Sequence, residues 1–272
     1  MAELIELIKY IFLGLFQGIT EPIPVSSSGH LVIVRSLMDL ELPGISFEAF
    51  INFGSLIAVI AVYRKDLTSL AVNGSRFLFQ KDKAYKSDFY YLFLLVVATI
   101  PAGVIGFFFN DVIGETFSSS SVRLVGVTLL LTGVALWIIR NLKGHKNDSE
   151  ITLKDAIIVG FAQAVALLPG VSRSGATVVA AMLIGMKREA ALKFSFLLYI
   201  PVSLGAMILS VSDIANDPEI STRLPLYLVS LLAALIASYF ALLWFIDVMR
   251  KGNLKYFAFY CFIVGTLVIF FL

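Results

Sequence analysis

The sequence predicts an all-α integral membrane protein with about six transmembrane helices and two re-entrant helical hairpins, related as an inverted-topology repeat. Three observations carry this expectation. The 272-residue chain is 59% hydrophobic and only 15% charged, with a mean hydropathy of +0.92, whereas soluble domains are apolar over about half their residues. Six long apolar runs recur along it. Two further apolar stretches are interrupted by proline, glycine and polar residues, and these two match each other.

The six runs cover 47–63, 89–109, 122–139, 192–209, 224–246 and 255–272. A helix needs ~20 residues to cross a hydrocarbon core of ~30 Å. Richness in Ala, Leu, Gly and Phe, with little strand alternation, favours a helical bundle over a barrel. No segment is left for a soluble domain, so residues 1–272 are expected to form one membrane domain. The opening "MAELIELIKY" lacks the basic start and small-residue cleavage site of a signal peptide, and is expected to stay in the mature protein. The one cysteine, Cys261, leaves no internal disulfide and no cysteine metal cluster.

Lys and Arg distribution sets the orientation of such a chain. Segment 64–88 carries Arg64, Lys65, Arg76, Lys81, Lys83 and Lys86, and segments 140–155, 186–193 and 247–255 are also basic. These are expected on the cytoplasmic side. Segment 110–121 has no Lys or Arg, and 211–223 has only Arg223 against Asp213, Asp217 and Glu219, so both are expected outside. Threading the six spans through these assignments puts both termini outside.

The interrupted stretches, 3–45 and 154–188, must then each enter and leave on one side, the first from outside and the second from inside. Such broken backbone is tolerated only where protein or water covers it. Adding 146 to the residue number carries Gly14 onto Gly160, Gln17 onto Gln163, Ser26 onto Ser172, Ser28 onto Ser174 and Gly29 onto Gly175. Repeat halves of about 1–140 and 150–272 follow. In inverted repeats the interrupted elements meet near the midplane and form a site there.

The first interruption reads "QGITEPIPVSSSGH", residues 17–30. Gln17 and Glu21 share a helix face four residues apart, Pro22 and Pro24 end that helix, and Ser26 or Ser27 can cap a new one. The second reads "PGVSRSGATVVAAMLIG", residues 169–185, with Ser172, Ser174 and Thr177 around Arg173. Two helix starts offer free N–H groups and a positive dipole end to phosphate oxygens, and a guanidinium binds phosphate bidentately. An arginine at bilayer depth requires a cavity and a partner. A buried Arg173–Glu21 pair that merely locks the halves together is the structural alternative, and caps and helix–helix hydrogen bonds are the alternative for each serine. His30 is expected to do chemistry, His145 to lie in solvent, and Gln163 to make a helix–helix hydrogen bond.

Together with "GFAQAVALLPGVSRSGAT" and "FEAFINFGSLIAV", these motifs resemble the undecaprenyl-diphosphatase family, also called bacitracin resistance proteins, over essentially the whole chain. The resemblance implies removal of the terminal phosphate of undecaprenyl diphosphate, regenerating the carrier for cell-wall synthesis, at a site open to the outer face of the bacterial cytoplasmic membrane. The family's motifs fall on Gln17 and Glu21, on Ser26, Ser27, Gly29 and His30, and on Ser172, Arg173, Ser174 and Thr177. Read by their chemistry, Glu21, Ser27, His30 and Arg173 are expected to be catalytic, and Gln17, Ser26, Ser28, Gly29, Ser172, Ser174 and Thr177 to bind substrate. The resemblance also implies Mg²⁺ or Ca²⁺ as cofactor, held at Glu21 with Gln17 nearby. Many members have Glu where this chain has Gln17, which weakens a cation site between two acids.

Ser27 activated by His30 and Glu21, His30 as direct nucleophile, and water remain three routes of attack. The expected partners are a polyprenyl diphosphate lipid and the membrane, with no nucleic acid and a homodimer as the oligomer to test. A transporter or flippase for polyprenyl phosphate lipids is the alternative function, because inverted repeats with broken helices are typical of transporters.

Overall fold

Backbone groups in an apolar chain must be satisfied internally, and helices do so within one segment. The computed structural model describes residues 2–38, 44–109, 121–168, 170–216 and 220–272, and they are overwhelmingly helical. In chain order the helices are α1 (Ala2–Thr20), α2 (Ser27–Met38), α3 (Gly44–Val62), α4 (Arg64–Gln80), α5 (Lys86–Phe108), α6 (Val122–Ile139), α7 (Leu153–Val165), α8 (Arg173–Leu183), α9 (Arg188–Ala215), α10 (Ile220–Arg250) and α11 (Lys255–Phe271). The protein is an all-α membrane protein.

Among the described residues, four helices are long and apolar enough to cross a membrane: Lys83–Phe108, Val122–Ile139, Arg188–Ser212 and Ile220–Arg250. Two of the six expected runs differ in detail. The 47–63 run is α3, and the chain bends by 71° into α4 after it. Arg64, Lys65 and Asp66 open α4, so the segment expected as a basic loop is largely helical. The last run forms α11, shorter at 17 residues. The expected 110–121 loop lies almost wholly outside the described residues.

Each interrupted stretch is a helix, a break and a second helix. At ~1.5 Å per residue, α2, α7 and α8, with 12, 13 and 11 residues, are too short to cross ~30 Å alone. Thr152 starts α7 with a capping box. Its hydroxyl accepts from Asp155 N at 3.3 Å, while the Asp155 carboxylate accepts from Thr152 N at 2.9 Å and pairs with Lys146 at 2.9 Å.

The two stretches cross over to the opposite half of the chain: α1 packs on α10, and α7 packs on α5. Both contacts are backbone-close. A Cβ on Gly14 would collide with the carbonyl of Ser230, and one on Gly160 would sit 2.6 Å from the carbonyl oxygen of Ala98. Small residues permit this approach where no hydrophobic force drives helices together in lipid. Ser230 Oγ donates to Tyr10 O at 2.5 Å and Ser238 Oγ to Gly18 O at 2.9 Å, fastening α1 along α10. Helix α9 runs through the middle, with Phe194, Phe196, Leu198 and Tyr199 fully buried, while Val96, Ile100 and Phe107 on α5 face outward, as lipid contact requires.

Candidate active site

The two breaks touch. Pro24 maps onto Gly170 under the same 146-residue shift, and the contacts follow it: a Cβ on Gly29 would lie 3.3 Å from Gly170 Cα, and one on Gly175 would lie 3.6 Å from Pro24 Cβ. Ser174 Oγ reinforces the junction by donating to Ile23 O at 3.3 Å. The starts of α2 and α8 are thereby held side by side.

Ser26 and Ser172 are the caps. Ser26 Oγ accepts from Gly29 N at 3.2 Å and Ser172 Oγ from Gly175 N at 3.0 Å. Ser26 has φ of 68°, the left-handed region, which costs a non-glycine residue roughly 1–2 kcal/mol. Its carbonyl offsets the strain by accepting from His30 N at 3.1 Å and from His30 Nδ1 at 2.8 Å. Because a carbonyl only accepts, Nδ1 carries a proton, and Nε2 then accepts a hydrogen bond from the Tyr260 hydroxyl at 2.7 Å.

A cavity of 240 Å³ opens at the junction, lined by Gln17, Glu21, Ser26, Ser27, Ser28, Glu48, Asn52, Gln163, Ser172, Arg173, Ser174 and Ser203 together with apolar residues of α3, α9 and the second break. Glu21 is its centre. One carboxylate oxygen accepts from Gln17 Nε2 at 2.9 Å and from Ser27 Oγ, and the other accepts from Arg173 Nη2. The Arg173 guanidinium lies 3.5 Å from the centroid of the Tyr199 ring, a cation–π contact that fixes its plane. Tyr199 in turn donates to Asn52 Oδ1 at 2.5 Å, and Asn52 Nδ2 donates to Ser203 Oγ at 3.3 Å. A serine hydroxyl on a carboxylate beside a guanidinium sets a potential nucleophile, base and anion binder in mutual reach.

Most of the expected site residues therefore gather at one place. Glu21, Ser27 and Arg173 are in direct contact, and Gln17, Ser26, Ser28, Ser172 and Ser174 line the same cavity. Gly29 serves the junction, and Thr177 Oγ1 donates back to Arg173 O at 3.0 Å within its own helix. His30 does not line the cavity. Its two ring nitrogens are engaged by Ser26 and Tyr260, and its ring stacks on Tyr260 at 5.5 Å. Sequence reasoning missed Glu48, Asn52 and Tyr199, whose signal was the "FEAFINF" segment and one tyrosine in an apolar run.

Gln163 also departs from expectation. It is 1% exposed, lines the cavity, and neither amide atom has a hydrogen-bond partner among the described residues. Gln17 Oε1 is unpartnered as well. A buried polar group left unpaired costs about 1–3 kcal/mol, and such groups call for an explanation.

The chain matches the family model described as bacitracin resistance protein BacA over residues 10–267. It is 56% identical to undecaprenyl-diphosphatase 1 of Bacillus cereus over 272 residues, covering 100% of both chains. It is also 56% identical to the undecaprenyl-diphosphatase of Oceanobacillus iheyensis over 266 residues, 98% of this chain and 97% of the relative. A third relative, undecaprenyl-diphosphatase 1 of Halalkalibacterium halodurans, is 51% identical over 267 residues, 98% and 97% of the two chains. With the motifs of both breaks inside the matched span, the chain belongs to the bacitracin resistance protein BacA family.

Proposed function

We propose that this protein is an undecaprenyl-diphosphatase, a membrane phosphatase that removes the terminal phosphate of undecaprenyl diphosphate and returns the monophosphate carrier to cell-wall synthesis. The observation that carries it is Ser27 donating to Glu21 while Arg173 holds the other carboxylate oxygen, at the mouths of two helices. The terminal phosphoryl group takes the place between Arg173 and the two helix starts, where positive charge meets the oxygens that gain charge in the transition state. Ser27 Oγ attacks phosphorus and gives its proton to Glu21. The bond to the bridging oxygen breaks, and the lipid monophosphate leaves with that electron pair. Water then attacks the phosphoserine, Glu21 returns the proton to Ser27 as it leaves, and inorganic phosphate departs. His30 acts by holding Ser26 and the start of α2 rather than by attack.

The implied divalent cation, Mg²⁺ or Ca²⁺, finds only part of a site. Among the described residues no three His, Cys, Asp or Glu side chains gather, and both Glu21 oxygens already hold protein partners. The cavity also offers the Glu48 carboxylate and the Gln17 amide oxygen, which has no partner among the described residues. These are hard oxygens of the kind both ions take, and they fit a cation arriving with the diphosphate, whose charge it would neutralise.

The two interrupted stretches act as re-entrant hairpins of an inverted repeat, in the bacterial cytoplasmic membrane, with the cavity open to the external face and both termini outside. The basic segments 64–88, 140–155, 186–193 and 247–255 support that orientation. The reciprocal contacts Gly29–Gly170 and Gly175–Pro24 also favour a second function, transfer of the lipid phosphate across the membrane. Phosphate release from undecaprenyl diphosphate in detergent tests the first reading. Wild type releases phosphate and Arg173→Ala does not; a wild type that binds and moves the lipid without releasing phosphate is a transporter.

A further inference from the structure

Gln163 lacks the partner that its repeat counterpart has. Its counterpart Gln17 donates to Glu21, four residues on, but four residues beyond Gln163 the chain has Leu167. The second repeat has the amide without the carboxylate. Both of its polar atoms are nevertheless buried, unpartnered and on the cavity wall across which Glu21 and Arg173 meet. A helix–helix hydrogen bond would have used at least one of them.

Folding gains nothing from this arrangement. A side chain of similar length without polar atoms would fill the same volume and remove two unsatisfied groups. An amide kept there needs a polar occupant of the cavity. Its NH₂ group carries donors and no charge, so it suits an anionic oxygen beside the charge already supplied by Arg173.

We propose that Gln163 is a phosphate-binding residue, its Nε2 donating to a phosphoryl oxygen of the diphosphate headgroup and its Oε1 accepting from a water in that group's hydration shell. This rests on the phosphatase reading for the identity of the ligand, and extends the binding surface to the wall supplied by α7. The second hairpin then recognises substrate with both of its helices, through Gln163 before the break and Arg173 after it.

The test compares wild type, Gln163→Met and Gln163→Glu in detergent. Kinetics of phosphate release are measured alongside melting temperature with and without inorganic pyrophosphate. Gln163→Met is expected to melt no lower than wild type, to raise KM at least tenfold with kcat within about threefold, and to lose most of the pyrophosphate-induced shift in melting. Gln163→Glu, which sets an anion against the phosphate, is expected to bind more weakly still. A KM within twofold of wild type for Gln163→Met overturns the assignment. So do equal pyrophosphate shifts in wild type and variant, absence of any shift in both included, and a fall in melting temperature that accounts for the lost activity. Failure of wild type to release phosphate would instead reject the phosphatase, while a pyrophosphate shift lost in Gln163→Met would still support the binding role.

Discussion

His30 and Tyr260 lie 230 positions apart in the chain and 2.7 Å apart in space, their rings stacked within 14° of parallel. The contact ties α11 to the first turn of α2, and through His30 Nδ1 it reaches the carbonyl of Ser26. His30 therefore stands behind the site, bracing the strained residue that caps the helix opened by Ser27.

Radiolabelled phosphate trapped on the protein is expected as acid-stable phosphoserine at Ser27, with no acid-labile phosphohistidine. Label on His30 would overturn the positioning role. Tyr260→Phe should lower phosphate release by about 3–10-fold, the scale of one lost hydrogen bond, and a variant as inactive as Ser27→Ala would mean that Tyr260 does more than brace.

Removing the base should be severe. Glu21→Gln keeps the shape but not the charge that accepts Ser27's proton and pairs with Arg173, and a drop in kcat of about 10²–10⁴-fold is expected, the range for general base catalysis. Full activity in Glu21→Gln would move the site elsewhere.

Arg173 is expected to resist conservative exchange. Lysine keeps the charge, but loses the planar fork and the flat face that lies 3.5 Å from the Tyr199 centroid. Arg173→Lys should raise KM and lower kcat by at least ~10-fold; near-wild-type kinetics would show that a point charge suffices.

Gln17→Glu would set a second carboxylate beside Glu21, four residues along the same face. Tighter use of Mg²⁺ or Ca²⁺ is expected, read as activation at lower cation concentration in a chelator titration. An unchanged activation curve would place the cation away from α1.

Close helix approach makes a stability prediction. Gly160→Val should destabilise by about 1–3 kcal/mol, since the carbonyl of Ala98 is backbone and cannot swing aside. Gly205→Ala is the control: nothing lies within 4 Å of its Cβ position, and a small gain of about 0.5–1 kcal/mol is expected from helix propensity. Thermal unfolding in detergent that ranks the two the other way would reject the packing.

Much of this was legible in sequence for a physical reason. A ~30 Å apolar layer imposes long apolar runs, and breaks in such runs must carry proline, glycine and polar groups, so helices, broken stretches and both motifs leave one-dimensional signatures. Gln17 with Glu21, and the caps Ser26 and Ser172, were local relations within one turn. Helix α4 was hidden because its charges resemble those of a loop.

What the sequence by itself determined was the membrane class, the two broken stretches and the residues that could do chemistry. The tertiary structure decided which of them meet. It brought Arg173 to Glu21 across 152 positions, supplied Tyr199 and Asn52 from apolar runs, turned His30 to Tyr260 and left Gln163 without a partner among the described residues. Composition and spacing follow from the solvent a chain must satisfy. Which side chain faces which depends on packing between helices distant in sequence, and no local pattern encodes it.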